Sequence, residues 1–249
     1  MTQILYVYAI GRAGHPLPPD VFAVESGPLA AFYAPVDELE YNQAAIDARS
    51  KDVEWLGAIG YRHQSVMAAL MRGGTIIPLR AFTLFATKDR LRDHLDSERD
   101  KFLKILERLE GKQEWTLRIE FDPEQWNDAI VRRVDSLRAL SVEAETASAG
   151  KAFLLRKKLD DERKRASREA EQQVVGEVEQ EVLAKLACDT VAETRQQRSG
   201  AFPQIDVLIN RDEEARLQEL RENLERRYQG EGVTIALTGP WPPYTFAQG

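Results

Sequence analysis

The sequence predicts an α+β protein of two domains, the C-terminal one ferredoxin-like with an added long helix, followed by an extended tail rich in proline and aromatic residues. Short β-branched and aromatic runs alternate with segments whose apolar residues recur every three or four positions. From residue 115 onward the order is βαββαβ once one extra helix is set aside, which is the ferredoxin-like order. We place the domains at residues 1–112 and 113–239, and the tail at 240–249, docked on the body of the protein.

The first half reads as βββαβα. Apolar runs separated by proline and glycine turns predict its strands, and apolar stripes predict its helices. A break of the first helix near Ser50 or Gly57 is left open. Thr87 is the expected N-cap of the second helix, and Gly111 closes it. The predicted strands are 4–10, 21–25, 29–36 and 75–86, and the predicted helices are 42–72 and 88–110.

The second half opens with the clearest alternation in the chain, at residues 115–121, which predicts a half-buried strand. Asp122-Pro123 then supplies an N-cap and a proline at the first helical position. Residues 189–199 are ambiguous, with an edge strand as one interpretation. The remaining predictions are a helix to about residue 140, a loop at 141–150, a long helix at about 151–187, a strand at 204–210, a helix at 211–228 and a strand at 233–238.

The long helix is the most unusual predicted element. At ~1.5 Å per residue it is roughly 55 Å long, too long for a compact domain to bury from end to end. We therefore expect it to project, to pair with another element, or to break near Gly176.

Composition excludes several classes of protein. The net charge of −7 and the pI of about 5.2 argue against a general nucleic-acid role. One cysteine excludes an intrachain disulfide and a cysteine-rich zinc site. Residues 1–10 lack the features of a signal peptide, and no run reaches the ~18–20 apolar residues that span a bilayer. We expect a cytoplasmic protein without membrane insertion.

Motifs for nucleotide binding, for a nucleophilic serine and for a zinc-binding helix are absent, so no cofactor and no catalytic residue is predicted. Cys188 is interpreted as a packed, unreactive thiol rather than a nucleophile. His63 falls at the border of an apolar helical stripe and is interpreted as structural. His94 lies in a charged helix and is interpreted as a surface residue.

Basic residues concentrate between Arg156 and Arg168. Acidic residues interrupt and follow them, which favours a solvated helix with internal ion pairs over a nucleic-acid site. The basic residues nevertheless come first along this helix, which opposes the helix dipole. That order is a hint of a partner surface.

The end of the chain sets three aromatic residues on a proline frame, Gly239-Pro240-Trp241-Pro242-Pro243-Tyr244-Thr245-Phe246. Proline holds such a segment extended and lowers the entropy that it loses on docking. Two interpretations stay open: the tail docks on its own body, or it anchors a partner.

This ending resembles the Gly-Pro-Trp-Pro-Pro-Tyr-Ser/Asn-Phe ending of the GvpF/GvpL gas vesicle family. Three other segments are similar to that family: the opening strand at 5–10, the pair His63-Gln64-x-Val66 and Ile77-Pro78-Leu79-Arg80, and the start of the long helix at 150–157. The resemblance covers nearly the whole chain. It departs at Arg80-Ala81-Phe82-Thr83, where the family commonly has Arg-Phe-Gly-Thr, so a role that needs close backbone approach at that glycine is in doubt.

The resemblance implies a non-enzymatic gas vesicle assembly or accessory protein, a minor structural component, that binds the small hydrophobic shell protein GvpA and other gas vesicle proteins. An alternative is a small-ligand binder or enzyme on a ferredoxin-like scaffold. The candidate partner-binding or tail-docking residues are Trp241, Pro242, Pro243, Tyr244, Phe246, His63 and Arg80.

Overall fold

The structure is a computed structural model, and it describes residues 2–193 and 202–247. The chain forms two compact units. Unit 1 is Met1–Glu114 together with Pro240–Gly249, and unit 2 is Trp115–Gly239. Each sheet is accompanied by helices, so the predicted mixed α and β class is confirmed.

The sheet of unit 1 is built around one buried strand. Its strands are β1 (Gln3–Arg12), β2 (Phe22–Ser26), β3 (Leu29–Asp37), β4 (Ile76–Pro78) and β5 (Leu84–Phe85), in the order β2-β3-β1-β4, with β5 also paired to β1. All of these pairs are antiparallel. A register shift lies between Val7 and Ala9, so Tyr8 is an extra residue in the β1–β3 ladder.

The helices of unit 1 are α1 (Glu38–Tyr41), α2 (Gln43–Arg49), α3 (Val53–Gly73), α4 (Lys88–Ser97) and α5 (Arg99–Leu109). The single helix expected at 42–72 is broken at Ser50, one of the two positions left open. Asp52 starts α3 there, because its side chain accepts a hydrogen bond from the Trp55 N–H at 3.0 Å. The single helix expected at 88–110 divides at Glu98.

The continuous strand expected at 75–86 is wrong. Residues between β4 and β5 form a turn, since the Arg80 carbonyl accepts hydrogen bonds from both the backbone N–H and the hydroxyl of Thr83. Phe82 in this turn has a φ of 64°, in the left-handed region that strands do not use.

The second sheet contains β6 (Lys112–Phe121), β7 (Asp189–Glu193), β8 (Gln204–Asn210) and β9 (Val233–Trp241), in the order β7-β8-β6-β9. The ambiguous segment thus begins with an edge strand, antiparallel to β8, while residues 194–199 lie outside the described residues. The helices of unit 2 are α6 (Pro123–Arg133), α7 (Asp135–Thr146), α8 (Ala149–Lys185) and α9 (Glu214–Arg227), the last preceded by a 3-10 turn at Arg211–Glu213.

The loop expected at 141–150 is wrong, because α7 continues to Thr146. Leu137 and Ala144 are both buried, so this helix has an apolar side. The small and polar residues of the segment led to the prediction of a loop instead. Of the predicted loop, only the junction between α7 and α8 remains non-helical.

The long helix α8 is continuous through Gly176. Its second half carries the buried valines Val174, Val175, Val178 and Val182, which pack in the core of unit 2 with residues of β6, β8 and α9. In the first half, Ala152 is buried and Leu159, Ala166 and Ala170 are partly buried against the same core. One side of the helix is therefore covered along most of its length.

Residues 240–249, expected to be extended, are not extended throughout. Strand β9 reaches Trp241, and the chain then turns. The Tyr244 N–H donates to the Pro242 carbonyl at 2.7 Å, and the Ala247 N–H donates to the Pro243 carbonyl at 2.8 Å. Proline fixed φ but did not prevent these bonds, since a proline carbonyl still accepts.

Among the helices of the described ranges, none is both long enough and apolar enough to cross a membrane.

Candidate functional site

Helix α3 carries His63 in the middle of its buried face. The buried residues of this helix are Ile59, His63, Met67 and Leu70, which recur every three or four positions. The expectation that His63 lies at the border of the apolar stripe is therefore wrong: the side chain is 5% exposed. A polar ring at such a position needs hydrogen-bond partners.

Both ring nitrogens of His63 have a phenol as partner. Tyr6 Oη lies 3.0 Å from His63 Nδ1, and Tyr244 Oη lies 2.9 Å from His63 Nε2. The Phe82 N–H donates to Tyr6 Oη at 3.2 Å, and Tyr244 Oη donates to the Leu79 carbonyl at 3.4 Å. We call this chain of groups, from Phe82 to Leu79, the His63 relay.

The two ends of the His63 relay determine the position of every proton in it. The Leu79 carbonyl can only accept a hydrogen bond, so the Tyr244 hydroxyl donates to that carbonyl. Tyr244 Oη then accepts a hydrogen bond from His63 Nε2–H. In a neutral imidazole, Nδ1 then accepts a hydrogen bond from the Tyr6 hydroxyl, and the Tyr6 oxygen accepts a hydrogen bond from the Phe82 N–H. The relay is satisfied with His63 neutral and protonated at Nε2.

Burial supports this protonation state. It lowers the pKa of His63, an effect that a hydrogen bond with the Leu79 backbone opposes in part. Burial also raises the pKa of Tyr6 and of Tyr244, each to about 12. All three side chains are therefore uncharged near neutral pH.

Tyr244 is one of several groups that hold the end of the chain on unit 1. Pro242 and Phe246 are buried. The Thr245 N–H donates to Glu114 Oε2 at 3.1 Å, and the Arg108 guanidinium lies 5.9 Å from the centre of the Phe246 ring. The turn after β9 thus presents alternate side chains, Pro242, Tyr244 and Phe246, to the body of unit 1.

Phe82 occupies the position at which the resembling family segment commonly has glycine. Its φ of 64° is a conformation that glycine adopts without strain and that a bulky residue rarely adopts. The ring packs 5.7 Å from Trp55 and 6.3 Å from Tyr6, measured between ring centres. Phe82 thus combines a left-handed backbone with an aromatic side chain that packs in unit 1.

The other candidate residues are more exposed. Trp241 is 40% exposed, Pro243 is half-buried, and Arg80 is exposed at the start of the turn that includes Phe82. The structure thus joins His63 to Tyr244 directly, and it places Arg80 next to Leu79, which ends the His63 relay.

Sequence reasoning missed Tyr6 as a partner of His63, and Glu114 and Arg108 as partners of the tail. Tyr6 lies in an apolar strand run, where a tyrosine reads as core. Glu114 is 4% exposed in β6, and a buried carboxylate in an alternating strand pattern is the one signal that could have indicated it.

Cys188 and His94, the other two residues considered for a chemical role, are not part of the His63 relay. Cys188 is partly buried against the core of unit 2, after the end of α8. The His94 ring is half-buried and lies 5.4 Å from the Phe85 ring and 5.5 Å from the Phe102 ring, so it is not a simple surface residue as expected. In the described part of the chain, no group of His, Cys, Asp and Glu side chains could hold a metal ion.

Unit 2 has an open cleft of about 630 Å³. Its lining is polar, with Asp122, Glu222, Glu225 and Arg226 among the side chains, and does not include His63, Arg80 or Cys188. This cleft therefore does not bring together the residues that the sequence offers for acid–base or nucleophilic chemistry.

Comparison with known proteins gives a consistent result. The family model described as "Gas vesicle synthesis protein GvpL/GvpF" matches residues 4–248. Gas vesicle protein L of a Streptomyces species is 27% identical over 98% of this chain and 93% of that protein. Gas vesicle protein L of Haloferax mediterranei is 32% identical over 75% of this chain and 60% of that protein.

A solved structure shows the same fold. The crystal structure of gas vesicle protein GvpF from Anabaena superposes with a TM-score of 0.68 at 14% sequence identity, covering 99% of this chain and 96% of that one.

Proposed function

Since the chain belongs to the GvpL/GvpF family of gas vesicle synthesis proteins, we propose that it takes part in gas vesicle formation as a non-enzymatic assembly factor that binds the shell protein GvpA. It acts in the cytoplasm, in association with gas vesicles, as an accessory or minor structural component. The observation that carries the proposal is the docked turn at the end of the chain, which the family resemblance singles out.

The turn leaves a defined set of groups for a partner. Pro242 and Phe246 are buried and Tyr244 is bonded to His63, while Trp241 and Arg80 are exposed. Tryptophan and arginine are the residues most enriched at the energetic centres of protein interfaces. We therefore assign Trp241 and Arg80 to GvpA contact, with Pro243 beside them, and assign Pro242, Tyr244, Phe246 and His63 to holding the turn in place.

The non-enzymatic part of the proposal is supported by the chemistry of His63. A general base needs a nitrogen within reach of substrate. Both nitrogens of His63 are engaged by phenols, so the imidazole is occupied with binding the protein's own side chains.

We also infer that the two units correspond to the domains 1–112 and 113–239, the second being ferredoxin-like. Numbered by their order from residue 112, the strands of the second sheet lie in the order 2-3-1-4. This order supports the ferredoxin-like assignment. The tail 240–249 belongs with unit 1.

Co-purification with GvpA tests the proposed function. We expect the wild-type protein to retain GvpA, and we expect the double variant W241A/R80A to retain at least tenfold less GvpA. The control is F22A/R72A, which removes another exposed aromatic residue and another exposed arginine of unit 1. No association of the wild-type protein with GvpA, together with normal vesicles in a deletion strain, would refute the proposal.

A further inference from the structure

The outer side of the first half of α8 combines exposed apolar side chains with exposed basic ones. Phe153 and Leu154 are 69% and 66% exposed. Lys157, Lys164 and Arg168 are exposed as well, and helical geometry brings them to the same side, since they follow Phe153 by 4, 11 and 15 positions. We call these five residues the α8 outer stripe.

The three cations of the stripe have no ion pair within the described residues. Other cations of this half of α8 do form ion pairs. The distances are 3.7 Å from Lys158 Nζ to Glu162 Oε1, 2.9 Å from Arg163 Nη2 to Asp160 Oδ1, and 3.9 Å from Arg165 Nε to Glu169 Oε1. Three other cations of this half of α8 are thus paired with acids of the same helix, whereas the three stripe cations are not.

Local electrostatics do not account for this arrangement. Lys164 and Arg168 are like charges four positions apart, an arrangement that destabilises a helix. The first turn of α8 has no acidic residue, and Ser148 makes no side-chain capping bond. Each other described α-helix of eight or more residues has an acid in its first turn. Local rules are commonly broken where function requires it.

We propose that the α8 outer stripe is a docking surface for an acidic polypeptide segment that also carries apolar side chains. The acidic groups pair with Lys157, Lys164 and Arg168, and the apolar side chains cover Phe153 and Leu154. This surface lies in unit 2 and is distinct from the residues assigned to GvpA, so it provides for a second protein partner.

A nucleic acid fits the stripe less well. Three cations over ~17 Å of helix are few for a phosphate backbone. Asp161 lies on the same side, four positions after Lys157 and three before Lys164. A phosphate backbone carries a charge at every nucleotide and cannot avoid this carboxylate, whereas a polypeptide can place an uncharged residue there.

An anionic membrane also fits less well. A helix that lies in a membrane interface needs a broad apolar side facing the lipid. The apolar side of α8, with Ala152, Leu159 and Ala166, is packed against the core of unit 2. In the first half of α8, Phe153 and Leu154 are the exposed large apolar side chains, and two residues suit a small apolar contact within a protein interface.

Binding of synthetic polymers to the full-length protein tests the proposal. The probes are the copolymer of glutamate and tyrosine, polyglutamate, duplex DNA and vesicles of phosphatidylserine, each measured by fluorescence anisotropy or co-sedimentation. We expect the glutamate–tyrosine copolymer to bind, more tightly than polyglutamate and more weakly at high salt. The charge variant K157Q/K164Q/R168Q and the apolar variant F153S/L154S should each weaken binding about tenfold or more.

A matched control separates the stripe from the general effect of charge. K51Q/R90Q/K104Q removes three exposed cations elsewhere and should leave the affinity within twofold. All replaced side chains are exposed, so melting temperatures should stay close to that of the wild-type protein, and two independent variants guard against misfolding of either one. Copolymer binding that neither variant weakens, or its absence, overturns the proposal. Tighter, stripe-dependent binding of DNA or vesicles, or stripe-dependent self-association in sedimentation equilibrium, overturns it as well.

Discussion

At the scale of single residues, His63 is held through both nitrogens of its ring. It accepts a hydrogen bond from Tyr6 and donates one to Tyr244, and a charged imidazole would have to donate from both nitrogens. Tyr6 already accepts from the Phe82 N–H, so its own proton would lose its acceptor. Protonation of His63 therefore disrupts its hydrogen bond with Tyr6 in the folded protein, while the Nε2–H bond to Tyr244 is kept.

This coupling predicts that acid destabilises the protein. The folded-state pKa of His63 lies below its ordinary value of about 6.5 because the ring is buried. Below pH ~6.5 the unfolded chain binds a proton that the folded protein does not, so stability falls from there toward the folded-state pKa and is full above pH ~6.5. Urea midpoints measured from pH 8 to pH 5 should fall less for H63Q than for the wild-type protein.

Some acid sensitivity should remain in H63Q. Burial also lowers the pKa of His15, whose Nε2 lies 2.9 Å from the Leu70 carbonyl. Identical pH profiles for H63Q and the wild-type protein would show that His63 does not report on folding in this range.

Phe82 gives a second prediction at the residue scale. Its left-handed backbone costs about 1–2 kcal/mol for a residue with a Cβ atom, and glycine avoids that cost. F82A loses the ring contacts and keeps the strain, whereas F82G loses the same contacts and relieves it. We expect F82G to be more stable than F82A by about 1 kcal/mol in urea unfolding, the reverse of the usual order of alanine and glycine. Equal stabilities, or a more stable F82A, would contradict the assigned conformation.

At the scale of secondary-structure elements, the glycines separate into those that serve packing and those that do not. A Cβ at Gly176, inside α8, meets no atom within 4 Å. A Cβ at Gly232, before β9, would lie 2.6 Å from the Gln125 Cβ and 2.9 Å from the backbone nitrogen of Trp126. The φ of Gly232 is 76°. Only the second glycine is required by its surroundings.

Alanine at these two positions should therefore have opposite effects. We expect G176A to stabilise the protein by about 0.5–1 kcal/mol, because alanine restricts the unfolded chain and favours helix. G232A should destabilise it by roughly 2 kcal/mol or more, from steric overlap and backbone strain. Thermal unfolding of both variants measures the difference, and a destabilised G176A would indicate that α8 bends there in solution.

At the scale of the whole molecule, unit 1 is assembled from both ends of the chain. His63 and Tyr244 are 181 positions apart, and residues from Pro240 onward belong to the same compact unit as Met1–Glu114. Unit 1 therefore cannot be completed until the segment from Pro240 onward has been synthesised, which adds a contact of long sequence separation to its folding.

Removal of residues 242–249 tests the contribution of this contact. The deletion exposes the surface of unit 1 that Pro242, Tyr244 and Phe246 cover. It also removes the phenol that is hydrogen-bonded to His63 Nε2. Burying a phenylalanine and one hydrogen bond together contributes about 2–4 kcal/mol, so the melting temperature should fall by several degrees, and GvpA retention should fall with it. Unchanged melting would show that the tail is not docked on unit 1.

The sequence by itself determined the α+β class, most of the strands, and the family, because alternation, helical spacing and the proline-aromatic ending are local patterns. The helix break at Ser50 was left as one of two alternatives. Only the tertiary structure decided that α7 extends through a segment of small residues, that residues 75–86 turn at Phe82, and that the end of the chain turns after Trp241. It also decided that His63 is bonded to Tyr6 and Tyr244. Such partners are chosen by packing between distant segments, and a pattern that repeats over a few residues carries no information about a contact across 181 positions.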